Sequence, residues 1–71
     1  MGSKYPVLPS REVVKKLEAC GFTKTNQRGS HAKFSNGKRT VIVPLHDEIA
    51  RYTLKSILEQ ADISLQNFLN C

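Results

Sequence analysis

The strongest constraint on the fold is an alternation of apolar and polar residues on both sides of Asn36-Gly37. Successive side chains of an extended strand point to opposite faces of a sheet, so such alternation is typical of a half-buried strand. An Asn-Gly pair between two runs of this kind is a strong β-hairpin signal, because a type I′ turn needs positive φ at both central positions. The segment predicts two antiparallel strands joined by a two-residue turn at Asn36-Gly37.

This turn also predicts the register of the hairpin. Phe34 would lie opposite Arg39, and His31 would lie opposite Ile42. The apolar face would carry Ala32, Phe34, Val41 and Val43; the other face would carry His31, Lys33, Ser35, Lys38 and Thr40, with Ile42 as an apolar patch. One face is suited to a core and the other to a charged ligand.

A further strand is predicted on the N-terminal side, over residues 22–27. Its polar composition is typical of a sheet edge, and Arg28-Gly29 then reverses the chain. The sequence leaves open whether this loop has two or three residues. Pairing of Phe22 with Phe34 on the core face would favour the longer loop. The last strand ends at Pro44, which has no N–H to donate.

Three helices are predicted around these strands. The first spans residues 11–20, with Ser10 as N-cap and Gly21 just beyond its end. The second begins either with Asp47 as N-cap or at Thr53, and Ser64 is expected to cap a short third helix. Their apolar stripes consist of Val13, Val14, Leu17 and Cys20 in the first helix and Ala50, Leu54, Ile57, Leu58 and Ala61 in the second.

The predicted order is therefore α-β-β-β-α with a short C-terminal helix. Two apolar helix stripes and one apolar sheet face predict a two-layer α+β sandwich with a three-stranded antiparallel sheet and its helices on one face. Residues 1–9 are interpreted as an extended lead-in and residues 10–71 as a single domain. A chain of 71 residues is too short to enclose a deep site, so a functional site is expected on the open face of the sheet.

The charge of the chain is concentrated in its middle. Of 11 lysine and arginine residues, those between Cys20 and His46 are Lys24, Arg28, Lys33, Lys38 and Arg39, and no aspartate or glutamate lies among them. Such a surface attracts polyanions, of which nucleic acid is the commonest. A solvated face that maintains solubility is the alternative from charge alone.

The cysteines do not predict a disulfide framework, and neither they nor the acidic residues predict a metal centre. Cys20 and Cys71 have no partners at metal-ligand spacing and are expected to be free thiols in a reducing cytoplasm. Asp47 and Glu48 are interpreted as helix-capping groups, and no metal or cofactor is predicted. No apolar run is long enough to span a membrane, so a cytoplasmic location is expected.

With these elements placed, the chain resembles the HicA toxin family, small ribonucleases of toxin–antitoxin pairs. The residues that carry the resemblance are Gly21-Phe22, Gly29-Ser30-His31, Val43-Pro44 with His46, and the segment from Thr53 to Ala61. The resemblance implies a double-stranded-RNA-binding-domain-like fold, metal-independent cleavage of mRNA, a catalytic histidine at His31, and a HicB-type antitoxin that covers the His31 face. Tyr52 departs from the family pattern, which usually has glycine there.

The residues themselves are compatible with this chemistry. Histidine changes its charge near neutral pH, so His31 is the candidate general acid or base, with His46 and Ser30 as possible auxiliary groups. RNA contacts are expected from Lys24, Arg28, Gly29, Lys33, Lys38 and Arg39. Ser30 is not expected to be a nucleophile, because no carboxylate in the segment completes a triad.

Two alternatives remain at this point. A non-catalytic double-stranded-RNA-binding module would share the fold and the charge. Such a module needs a lysine cluster at the start of its second helix, whereas this chain has Asp47 and Glu48 followed by Arg51 and later Lys55. A protein-interaction domain whose basic face binds an acidic partner is the second alternative, and it is compatible with a toxin that an antitoxin silences.

Overall fold

The computed structural model describes residues 4–71. Its elements are β1 (Leu8–Pro9), α1 (Ser10–Ala19), β2 (Thr23–Arg28), β3 (His31–Ser35), β4 (Thr40–Pro44), β5 (Glu48–Ile49), α2 (Arg51–Ala61) and α3 (Leu65–Leu69). Strands β2, β3 and β4 form an antiparallel sheet in that order. This confirms the predicted α+β fold with its short C-terminal helix.

A second, two-stranded sheet was not predicted. Leu8 pairs with Ile49 and Pro9 pairs with Glu48, so the end of the predicted lead-in and the loop after β4 form β1 and β5. Tyr5 and Leu8 also pack against the core. Residues 1–3 of the lead-in lie outside the described residues, and the division at residue 9 stays a prediction.

The core lies between the helices and one face of the three-stranded sheet. Its buried residues are Val13, Leu17, Phe22, Ala32, Phe34, Val41, Val43, Ile49, Leu54, Ile57, Leu58, Ala61 and Phe68. The alternation of buried and exposed residues along β3 and β4 matches the predicted faces. The opposite face of this sheet, with His31 and Lys33, is exposed.

The register predicted for the β3–β4 hairpin is wrong by two positions. Phe34 lies opposite Val41 and His31 lies opposite Pro44. The cause is the side chain of Asn36, whose Oδ1 accepts hydrogen bonds from the backbone N–H groups of Lys38 (2.9 Å) and Arg39 (2.7 Å). The reversal is therefore centred one residue later, at Gly37 and Lys38. A shift of two positions keeps every side chain on its predicted face.

The β2–β3 hairpin has the shorter of the two loops left open. Arg28 lies opposite His31 across Gly29 and Ser30, and a bulge between Lys24 and Asn26 shifts the rest of the strand. Phe22, whose pairing with Phe34 would have favoured the longer loop, does not lie opposite it, because Lys24 takes that place. The bulge places one extra residue within β2, and a three-residue loop would have held that residue in the turn instead.

Two helix ends are formed by the residues that the sequence predicts. Gly21 lies just past α1 with φ of +100°, and its N–H donates to Glu18 O while that of Phe22 donates to Leu17 O, as predicted for a glycine-terminated helix. Ser64 caps α3 by accepting from Asn67 N–H (3.2 Å), also as predicted.

Both N-terminal predictions for the longer helices are wrong. Pro9, not Ser10, is the N-cap of α1, and Ala50 is the N-cap of α2, with no side-chain cap in either. Asp47 lies in a loop and Glu48 lies in β5, so neither acts as a helix-capping group. Pairing with β1 keeps Glu48 extended and delays the helix to Arg51.

The expectation of two free thiols is also wrong. Cys20 and Cys71 form a disulfide that closes a sequence separation of 51 residues. Phe68 is fully buried and α3 packs against α1, which returns the last residue of the chain to the end of α1. Within residues 4–71, no helix is both long and apolar enough to cross a membrane.

Candidate functional site

His31 is held at a defined place by the shorter hairpin. It is the first residue of β3, opposite Arg28 on β2 and Pro44 on β4. Gly29 adopts φ of +59° at the first loop position, whereas Ser30 has no positive φ, which is the arrangement of a type II′ turn. Because directly opposed residues share a face, the side chains of His31 and Arg28 emerge together on the open face.

His46 lies beside His31. Their ring centroids are 6.3 Å apart and the rings are nearly perpendicular, at 80°. A hydrogen bond of 2.5 Å from Leu45 N–H to Ser30 O attaches the loop that carries His46 to the turn that carries His31. The observed register causes this proximity, because Pro44, the last residue of β4, lies directly opposite His31. In the predicted register, Pro44 would lie two positions beyond His31, or about 7 Å further along the strand.

Two cations accompany the histidines. Arg28 and Lys33 line a surface depression of about 180 Å³ together with Asn26, Gln27, His31 and Ile42. Lys33 follows His31 on the same face of β3, opposite Asn26 and Ile42. This group contains no acidic residue, so its charge attracts an anion to the side of His31.

The remaining predicted RNA-binding cations lie elsewhere. Lys24 is opposite Phe34, and therefore on the side of the helices, where its Nζ donates to Gln27 Oε1 (2.7 Å). Lys38 and Arg39 belong to the other hairpin loop, which follows the far end of β3. The length of that strand, roughly 13 Å, separates this loop from His31. Arg39 also forms an exposed ion pair with Asp62 at 3.4 Å.

The turn residues Gly29 and Ser30 contribute through their backbone. Gly29 O accepts from Gln27 Nε2 (3.0 Å), and Ser30 O accepts from Leu45 N–H. The side chain of Ser30 is exposed and takes part in none of the hydrogen bonds found in the described part of the chain. The turn is thereby attached to β2 through Gln27 and to the loop that carries His46 through Leu45.

Sequence reasoning missed Asn26 and Gln27 as lining residues. Their polar character on an edge strand signalled only exposure. The useful signal is the two-residue loop, since it brings Asn26 opposite Lys33. Across residues 4–71, no group of three or more histidine, cysteine, aspartate or glutamate side chains is arranged to hold a metal ion.

The site can therefore bind an anion and move protons. Two imidazoles at one end of the open face can each donate or accept a proton at a bound ligand, provided that the reacting atom comes within about 3 Å of a ring nitrogen. Arg28 supplies five N–H donors in a planar fork that matches a phosphate, and Lys33 adds a mobile positive charge.

Comparison with protein families identifies a match that covers most of the chain. A family model described as the HicA toxin of bacterial toxin–antitoxin systems matches residues 10–63 of the 71-residue chain. The matched region begins with α1 and extends just past α2, so it contains the whole three-stranded sheet and both histidines. A search of curated proteins finds none that matches this chain.

Proposed function

The chain belongs to the HicA toxin family of bacterial toxin–antitoxin systems, and on that premise we propose that it is a metal-independent endoribonuclease that cleaves mRNA with His31 as general acid or base. The pair formed by His31 and His46 beside Arg28 is the observation that carries the proposal. A family of toxins in toxin–antitoxin pairs also implies an antitoxin partner.

Cleavage of RNA requires few functional groups from the protein. Its 2′-hydroxyl is an internal nucleophile, so the enzyme has only to take a proton from that group, give one to the departing 5′-oxygen and stabilise the negative charge on the phosphorane. An open sheet face with two imidazoles and two cations contains the groups for all three tasks. It needs no protein nucleophile and no enclosed cavity.

The hydrogen-bonding geometry supports different roles for the two histidines. His31 lies on a strand between two paired neighbours, so its backbone position is well determined. His46 lies on an exposed loop attached through Leu45. In the proposal His31 is therefore the main proton-transfer group and His46 is the auxiliary one, while Arg28 and Lys33 bind the scissile phosphate.

The proposed antitoxin is of the HicB type and covers the His31 face. The exposed cations of this face favour a partner surface that is acidic. Most of the energy of a protein interface comes from a few residues, chiefly tryptophan, tyrosine and arginine, so His31→Ala should abolish toxicity and leave antitoxin binding largely unchanged.

A non-catalytic double-stranded-RNA-binding module is the second candidate, because the fold and the basic face would serve it as well. The start of α2 favours the nuclease. Its first two turns carry only Arg51 and Lys55 as basic residues, and the preceding strand and loop carry the exposed acids Glu48 and Asp47. A phosphate-binding helix start would be expected to carry more positive charge.

The decisive experiment is incubation of the purified protein with a single-stranded RNA in EDTA, with DNA of identical sequence as a second substrate. The parent protein should cleave RNA to fragments ending in a 2′,3′-cyclic phosphate and should leave DNA intact. His31→Ala should lower the cleavage rate by about 100-fold to 10,000-fold, and His46→Ala should lower it less.

Lys24→Gln provides the matched control, since it removes a cation from the opposite side of the sheet. It should cleave at the rate of the parent. Intact RNA with salt-sensitive binding by both the parent and His31→Ala would show a binding module and exclude the nuclease.

A further inference from the structure

Tyr52 is the most exposed of the large apolar side chains in the described part of the chain. The fraction of its surface exposed is 83%, against 39–40% for Val7, Ile42 and Leu69. It is the second residue of α2 and lines a surface depression with Val7, Glu48, Ala50 and Arg51. These five residues are called the Tyr52 patch below.

The fold does not explain the exposed ring. The buried residues of α2 are Leu54, Ile57, Leu58 and Ala61, which lie on another side of the helix. Across residues 4–71, the Tyr52 side chain forms no hydrogen bond and no ring contact. Tyrosine and arginine are the residues over-represented at the energetic centres of protein interfaces, and here Tyr52 and Arg51 are neighbours.

Charge indicates a protein rather than RNA as the ligand of this patch. Glu48 belongs to it and Asp47 precedes it; both are exposed, and neither takes part in the one ion pair found within residues 4–71. Their carboxylates oppose binding of phosphates. The open sheet face, with Arg28 and Lys33, is the place for a polyanion.

The patch is also continuous with the histidine site. Leu45, His46, Asp47 and Glu48 line a common surface depression, so the loop that carries His46 leads directly to Glu48 and Tyr52. A protein that covers His31 and extends along this loop therefore reaches the Tyr52 ring. The family membership supplies such a protein, since a toxin of this kind has an antitoxin.

We propose that the Tyr52 patch anchors the antitoxin, which inserts the Tyr52 ring into an apolar socket and places a basic side chain against Asp47 and Glu48. The polarity of the combined surface then determines the orientation of the partner. Acidic groups of the antitoxin face Arg28 and Lys33, and a basic group faces the start of α2. The inference depends on the antitoxin partner and not on the ribonuclease proposal.

The side chain at position 52 also suits a role in partner choice. The ring is 83% exposed and lies away from the buried side of α2, so the fold does not require it. A side chain that the fold does not require can instead distinguish one partner from another. Removing the ring should therefore weaken the cognate pair without affecting the chemistry at His31.

The test measures two quantities on the same proteins: the Kd for the purified cognate antitoxin, by calorimetry, and the KM and kcat for RNA cleavage. Tyr52→Ala should raise the Kd by about 30-fold or more, the scale of an interface hot spot, and leave both kinetic constants within twofold. Tyr52→Phe should bind the antitoxin within a few-fold of the parent, because it keeps the ring.

Glu59→Ala is the matched control, since Glu59 is exposed two turns further along α2 and outside the patch. Far-UV circular dichroism and Tm establish that each variant is folded. An unchanged antitoxin Kd in Tyr52→Ala would overturn the proposal. So would a raised KM for RNA with unchanged antitoxin affinity, which would mean that a nucleotide base stacks on the ring. Equal loss of both activities in a folded variant would overturn it as well.

The two proposals fail separately. If the protein binds its antitoxin through Tyr52 but leaves RNA intact, the anchoring surface stands and the ribonuclease proposal falls. If RNA is cleaved through His31 while Tyr52→Ala binds the antitoxin normally, the reverse holds.

Discussion

The two faces of strand β3 differ in what holds their residues in place. Ala32 and Phe34 are 0% and 1% exposed in the core, whereas His31 and Lys33, their immediate neighbours, are exposed on the open face. Many packing contacts hold the core residues in place, whereas the positions of the open-face residues depend only on strand register and turn geometry. Stability and function should therefore respond to different substitutions within the same five-residue strand.

The largest expected effect comes from the covered face. Phe34→Ala removes a buried ring from the centre of the sheet and should lower the free energy of unfolding by about 3–5 kcal/mol. A domain of this size has little stability to spare, so the variant should be largely unfolded. Urea denaturation followed by circular dichroism measures the change.

Lys33→Ala is the matched control on the open face and should unfold at nearly the same urea concentration as the parent. Equal destabilisation by the two substitutions would contradict the division between the faces.

The second effect tests the disulfide between Cys20 and Cys71, on the helical side of the molecule. By the loop-closure argument, a cross-link over 51 residues contributes up to about 4 kcal/mol to stability. Cys71→Ser should lose this contribution in oxidising buffer, and dithiothreitol should lower the parent protein to the level of the variant. A variant as stable as the oxidised parent would show that α3 remains bound to α1 through Phe68 packing alone.

The disulfide also weakens one premise of the expected cytoplasmic location. A reducing cytoplasm predicts free thiols, and disulfides rarely persist in such a compartment. Mass spectrometry of alkylated protein from cells would determine the redox state of Cys20 and Cys71 there.

The smallest effect distinguishes the two sides of the sheet for RNA binding. If RNA binds the open face, Lys33→Gln should weaken binding several-fold and lower the slope of log affinity against log salt by about one unit. Lys24→Gln makes the same change of charge on the helical side and should leave the slope unchanged. Equal slopes for the two variants in a filter-binding titration would place the RNA elsewhere.

The core of the fold was predictable because hydrophobic parity is a local property. The alternation around Asn36-Gly37 assigned every buried residue of β3 and β4 correctly, even though the register was wrong by two positions. A shift by one position would have exchanged the faces, but a shift by two does not. The cap at Ser64 was equally local, since one side chain and one nearby N–H determine it.

Other features depended on residues far apart in the chain. No local signal indicated that Leu8 pairs with Ile49, and that pairing placed the start of α2 at Arg51, between the two predicted positions. The position of His46 beside His31 required the observed register of β3 and β4 together with the bond from Leu45 to Ser30. The bulge in β2, which placed Lys24 on the helical side, had no sequence signature.

By itself, the sequence determined which face of the sheet is covered, where the positive charge lies and that His31 is exposed beside a glycine turn. Those properties depend on the alternation of side chains along an extended strand and on the conformational freedom of Gly29. The tertiary structure alone decided that His46 joins His31, that Cys71 reaches Cys20 and that Tyr52 is left exposed. Each of these depends on the path of the whole chain, since packing free energy, and no local preference, brings distant segments together.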